Sequence, residues 1–224
     1  MEDWEMLATV DEEFDNPSWY RTDEFHDVQS SVLLLNKSLE LVKEEAAFWK
    51  WAILSAHSAV QSACVCILTR TDGGGALDKP SEKNLLEYHN LSSQKAVNKA
   101  HGTEWILGEP VYPVLRISNL PELLKKLPSD MRVEIPKNTK STDDRRIKDF
   151  SMLHEFRNQF THFDSVGWSL EIEGLPRIIG EAVCLIEQIV QSKNYKRHNR
   201  FDDINILPDI ANAKKLLSEL GISA

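Results

Sequence analysis

Residues 51–68 read WAILSAHSAVQSACVCIL and carry no formal charge. A run of this length and apolarity is typical either of a membrane span or of a helix buried on all sides. Polar residues interrupt it at Ser55, His57, Ser58, Gln61 and Ser62. The interruptions favour the central helix of a bundle, and no membrane is expected among the partners.

Apolar residues recur at helical spacing on both sides of this run. They predict long helices near 23–45, 47–69, 142–163 and 176–192, and smaller ones near 81–99 and 207–220. Five prolines make 101–141 irregular, with room for a short helix around 121–127, and this stretch is interpreted as an insertion. The predicted fold is all-α, an up-and-down bundle of four long helices with extra short ones.

Charge divides the chain into segments. The formal net charge is −9, which argues against a protein that coats a polyanion. Residues 1–45 hold 13 acidic and 3 basic side chains, and the remaining residues sum to +1. We predict an acidic segment at 1–22, a bundle domain at 23–192, and a basic linker with a last helix at 193–224. Three cysteines and a start without a signal peptide predict a cytoplasmic protein.

A second stretch, HEFRNQFTHF at 154–163, is rich in functional side chains. On a helical wheel its phenylalanines form one broad face, which we expect to be the core side. His154, Asn158 and His162 form a polar stripe predicted to point away from the core, with Arg157 and Thr161 on its flank. Because His154 and His162 are about 12 Å apart along the helix, they cannot share an ion, and no metal or cofactor is expected.

The residue types in this stretch suit phosphate chemistry. Arg157 offers a permanent cation that matches phosphate oxygens, and a histidine transfers protons near neutral pH. Asn158 stands four residues before His162, the spacing at which an amide can orient an imidazole. The alternative is that the stripe is an ordinary solvated helix face.

The letters FRNQFTH at 156–162 resemble the signature of the HEPN superfamily, an arginine and a polar residue followed by a histidine. The resemblance implies an α-helical bundle with the motif on a late helix, and a metal-independent endoribonuclease of the toxin–antitoxin or antiphage defence kind. It also implies a homodimer whose two motifs line one RNA cleft, with a cognate antitoxin or regulatory protein as a possible partner. Arg157 would be the stabilising cation, His162 the proton-handling residue, and Asn158 the residue that orients them.

Further residues are candidates for supporting roles around Arg157 and His162. His57 and Gln61 share a stripe on the 51–68 helix and are placed with His154 and Thr161 around the site. The alternative is that His57 and Gln61 are polar core groups satisfied by neighbours.

Basic and aromatic residues outside the motif are further candidates for contact with RNA. RNA phosphates would meet a basic run that includes Lys140, Arg145 and Arg146, although interleaved acids also suit a solvated surface. Trp49 and Trp51 are interpreted as core or dimer contacts rather than as base-stacking platforms.

Three functions remain open on the sequence. The first is a metal-free nuclease. The second is a non-catalytic HEPN-like module that binds RNA or a protein through the polar stripe. The third is a plain helical bundle whose motif is coincidental.

Overall fold

The protein is an all-α helical bundle, as predicted from the apolar periodicity. The computed structural model describes residues 22–100, 110–136, 142–162, 167–197 and 205–221. Within these ranges the chain forms α1 Glu24–Leu41, α2 Trp49–Leu68, α3 Lys79–Ala100, α4 Leu120–Lys126, α5 Arg145–Thr161, α6 Leu175–Gln191, α7 Lys193–Arg197 and α8 Leu207–Gly221. No strand lies in the described ranges, where Leu77 and Ile117 form one isolated antiparallel bridge.

Two predicted helices have different lengths in the structure. The helix expected at 23–45 ends at Leu41, because the Glu45 side chain accepts a hydrogen bond from the Ala47 amide and caps a separate 3-10 turn. The helix expected at 81–99 spans 22 residues as α3, and is as long as the major ones. Asp78 accepts from the Ser81 amide, so the helix begins before Ser81 instead of at it.

The charge-free helix α2 lies at the centre of the bundle. It packs against α1, α4, α5 and α6. Its alanines at 52, 56, 59 and 63 are completely buried, and such small side chains let neighbouring helices approach closely. The span Ala46–Leu68 is long and apolar enough to cross a membrane, but 61% of its most apolar window is buried inside the fold. A helix buried to this extent inside the fold has the position of a core helix.

The predicted insertion and the C-terminal helix both contribute to the core. Leu120, Leu123, Leu124 and Leu127 are fully buried, and α4 packs on α2 and α5. Residues 120–127 of the predicted insertion are therefore part of the bundle rather than an appendage to it. The last helix, α8, packs against α1 and α6.

Candidate active site

Contacts made by residues outside the motif fix the motif helix α5 in place. Asp144 caps its start by accepting from the Arg146 and Ile147 amides. Phe150 and Leu153 are buried in the core. Asp149, 1% exposed, forms an ion pair with Arg177 on α6. A buried carboxylate held by a cation ties α5 to α6 at one rotation, which sets the direction of every motif side chain.

Four side chains form one continuous chain of hydrogen bonds from the motif into the bundle. The Arg157 Nη1 donates to Asn158 Oδ1 at 3.0 Å, and Asn158 Nδ2 lies 3.3 Å from His154 Nε2. His154 Nδ1 in turn lies 3.1 Å from His57 Nε2 on α2. The two imidazole rings stack with centroids 5.4 Å apart.

The donors and acceptors of these hydrogen bonds can be assigned in only one consistent way. Arginine has no acceptor, so the Asn158 oxygen must face Arg157 and the amide nitrogen must face His154. The amide nitrogen can only donate, so His154 accepts at Nε2 and carries its proton on Nδ1. That proton is donated to His57 Nε2. Arg157 is thereby oriented by a set of neutral groups that reaches into α2.

The charge state of both histidines agrees with this direction. Burial lowers the pKa of His57 to about 3, with further lowering by His154 and by Arg157. Burial and the Arg157 cation also lower the pKa of His154. Both rings are therefore neutral at physiological pH, as the donor and acceptor assignment requires.

Arg157 opens onto a groove of about 470 Å³ between α1, α2 and α5. Among the described residues no carboxylate pairs with its guanidinium. The groove is lined by Asp27, Ser31, Leu34, Trp51, Leu54, Ser55, His57, Ser58, Gln61, Ser62, Arg157 and Thr161. Its volume is within the range of pockets that hold small ligands. A half-buried cation that forms no ion pair with a described carboxylate is suited to an anionic group.

Asp27 supplies the acidic end of the groove and was not predicted from the sequence. Its Oδ2 accepts hydrogen bonds from Ser58, at 3.3 Å, and from Ser62. Ser58 and Ser62 are four residues apart on α2, so they share one helix face. That spacing was the only signal in the sequence, and it does not reveal that α1 brings a carboxylate opposite it.

The structure gathers some predicted site residues and separates others. Arg157, Thr161, His57 and Gln61 line one groove, and Asn158 and His154 join Arg157 to His57. His154 is half-buried and contacts His57 on α2, so the prediction that the stripe points away from the core is wrong for His154, whereas His162 is exposed. The reason is that α2 presents a histidine to His154, so a polar face is buried by a polar partner.

His162 lies apart from that groove. It follows the last residue of α5, and its backbone amide donates to the Asn158 carbonyl. Its side chain is exposed and forms no hydrogen bond with any described residue. The predicted Asn158–His162 contact is therefore not made; Asn158 bonds to His154 instead.

The predicted phosphate contacts are also distant from Arg157. Arg145 is exposed twelve residues earlier on α5, about 18 Å along the helix axis. Arg146 lies over the Phe150 ring, and its Nε is 3.9 Å from Glu181. Lys140 lies outside the described residues.

No described group of three or more His, Cys, Asp or Glu side chains is arranged to hold a metal ion. A comparison of the chain with protein-family models, with curated proteins and with solved structures found no match. The functional argument therefore depends on the residues of the groove and of the motif.

Proposed function

We propose that the protein is a metal-independent endoribonuclease of the HEPN type, acting on RNA in a cleft formed by two protomers. One observation carries the proposal. Arg157 is a cation without a carboxylate partner among the described residues, and Asn158 holds it at the edge of a groove. A guanidinium fixed in this way is suited to the extra negative charge that develops on a phosphate during cleavage.

The proposed reaction uses the nucleophile that RNA already carries. The 2′-oxygen loses its proton and forms a bond to the adjacent phosphorus, and the bond from phosphorus to the 5′-oxygen breaks. The 5′-oxygen takes up a proton, which leaves a 2′,3′-cyclic phosphate and a 5′-hydroxyl. Arg157 would stabilise the phosphoryl oxygens, and His162 would transfer protons.

The positions of these two residues favour a site shared between protomers. Arg157 lies within the last two turns of α5, whereas His162 follows the last residue of the helix. His162 is exposed and does not line the Arg157 groove. In a symmetric dimer the His162 of a second protomer could approach Arg157 from outside. The proposal includes the cytoplasm as location, a toxin or defence-like role, and a cognate antitoxin or regulator as a further partner.

A non-catalytic HEPN-like module that binds RNA or a protein is the second candidate. It is favoured by the state of the two histidines nearest to Arg157, which are neutral and bonded to each other. A groove with a fixed cation but no mobile proton donor binds a phosphate without cleaving the chain.

The first experiment incubates purified protein with mixed RNA in EDTA. Wild type is compared with Arg157→Ala, His162→Ala and the control Arg116→Ala, which removes an exposed arginine that does not line the groove. We expect cleavage with 2′,3′-cyclic phosphate ends by wild type and Arg116→Ala, and loss of cleavage in the other two. RNA binding without cleavage by wild type would favour the binding module instead.

A mixing experiment tests the shared site. If each site combines Arg157 of one protomer with His162 of the other, a mixed dimer of the two inactive variants keeps one complete site. Equal mixing and exchange of subunits should restore roughly a quarter of the wild-type rate, because half of the dimers are mixed and each has one of two sites. Absence of restoration in mixtures shown to contain mixed dimers would contradict a shared site.

A further inference from the structure

The Arg157 groove contains an exposed tryptophan. Trp51 lies in the first turn of α2 and is 46% exposed, whereas Trp49 is 5% exposed in the core. The two residues are about 200° apart on the helix, so α2 turns one ring inward and the other outward. The sequence interpretation of both as core or dimer contacts is correct for Trp49, but Trp51 is no part of the core.

The surroundings of Trp51 form the apolar end of the groove. Leu34 on α1 and Leu54 on α2 line the groove with it. Ser55 follows about one turn after Trp51 on α2, and Ser58, Gln61 and Ser62 lie further along, so the polar lining begins about one turn from Trp51. The groove thus combines a flat apolar surface, a polar wall and the Arg157 cation.

A protein interface is a less suitable occupant for this groove. The centre of a protein interface is depleted of aspartate, glutamate and lysine, whereas this groove contains Asp27. The Lys50 ammonium lies over one face of the Trp51 ring, 5.0 Å from the ring centroid, so a cation contacts the ring on that side. A flat ring beside cations is complementary to a nucleotide, which carries a flat base and an anionic phosphate.

We infer that Trp51 is a base-stacking platform and that the groove takes single-stranded RNA, with one base on the Trp51 ring and a neighbouring phosphate at Arg157. This inference rests on the proposed function and adds the form of its substrate. A base in a duplex is already stacked between its neighbours, so only an unpaired base has a free face for the ring. Every base has a π-face, so stacking tolerates any base sequence. The Trp51 platform would therefore select single-stranded over double-stranded RNA and would not select a particular base sequence.

The test measures binding of a short labelled single-stranded RNA in the His162→Ala background, where the RNA stays intact. Trp51→Leu should weaken binding about 10-fold, and Trp51→Phe should weaken it less because a ring remains. Trp168→Leu is the matched control. Trp168 is 38% exposed and contacts Phe160, but it does not line the groove, so its removal should leave binding unchanged.

A set of RNAs with one abasic position each separates stacking from a structural role. With Trp51 present, loss of the base at one position should weaken binding by a similar factor, and with Trp51→Leu that position should become silent. An unchanged abasic pattern, equal affinity for a duplex of the same sequence, or loss of the dimer in Trp51→Leu would overturn the inference. Cleavage by wild type with unaltered cleavage by Trp51→Leu would remove the platform alone, whereas a wild type that neither binds nor cleaves RNA would remove the proposed function as well.

Discussion

Acidification should destabilise the fold through His57, and the size of the effect can be worked out. The ring is 3% exposed, and its pKa is about 3 in the folded protein against 6.5 when exposed. Because the pKa is lower in the folded protein, the unfolded chain binds a proton at His57 first as the pH falls. The contribution of neutral His57 to stability is therefore fully present above pH 6.5 and is lost progressively between pH 6.5 and pH 3.

For a drop from pH 7.5 to pH 5.5 the unfolded state gains about 1 kcal/mol from protonating His57, because the pH falls about one unit below the pKa of an exposed histidine. His154 acts in the same direction because its pKa is also lowered, by burial and by the Arg157 cation. The cationic group that faces His57 is Arg157, and Asp27 lies across the same groove. The loss is then at least about 1 kcal/mol, on the order of 2–4 °C in Tm for a chain of this size.

The assay is urea denaturation at pH 7.5 and pH 5.5, comparing wild type with His57→Gln. The glutamine oxygen can still accept from His154, but glutamine does not titrate. The variant should lose about 1 kcal/mol less than wild type on acidification, whatever its stability at pH 7.5. Titrating groups that do not contact His57 contribute equally to both proteins and cancel in the difference. Identical pH dependence in the two would refute the neutral, buried state of His57 and the hydrogen-bond direction derived from it.

Two further substitutions test the site and its support. Asn158→Asp places a carboxylate against Arg157 and removes the amide donor, so RNA cleavage should fall at least about tenfold because the carboxylate competes with phosphate. Asn158→Ala adds no charge and should reduce cleavage less. A larger loss in Asn158→Ala than in Asn158→Asp would contradict the argument. Arg177→Met leaves the buried Asp149 without its cation and should lower the free energy of unfolding by about 3 kcal/mol, measured in urea at pH 7.5, whereas the double variant with Asp149→Leu should recover most of that loss.

The sequence was a good guide to the helices and a poor guide to the site. Apolar periodicity located α2 and α6 within two residues at each end, because their burial is set by their own side chains. The extent of α3 was underestimated because the helix is mostly polar and Leu85 is the only residue of its first two turns, other than Ser81, that is buried. A helical wheel shows no broad apolar face on such a helix, so the sequence pattern does not reveal its full length.

The orientation of the motif stripe was missed for a different reason. A helical wheel ranks the faces of one helix and assumes that a polar face meets water. His154 instead meets His57, a residue 97 positions earlier in the chain. The Asp27 contact with Ser58 and Ser62 is equally nonlocal. Pairings of polar groups between helices depend on the bundle geometry, which periodicity within one helix does not contain.

The hydrogen-bond direction also implies different roles for the three histidines His57, His154 and His162 in the proposed reaction. His57 and His154 are neutral and bonded to each other, so their role is to position Asn158 and through it Arg157. His162 is exposed, and proton transfer in the proposed reaction falls to it. His57→Gln should then alter the rate of cleavage without changing the shape of its pH profile, because His57 takes no part in the proposed proton transfer. A shifted acidic limb in that variant would show that His57 takes part in proton transfer and that the division of roles is wrong.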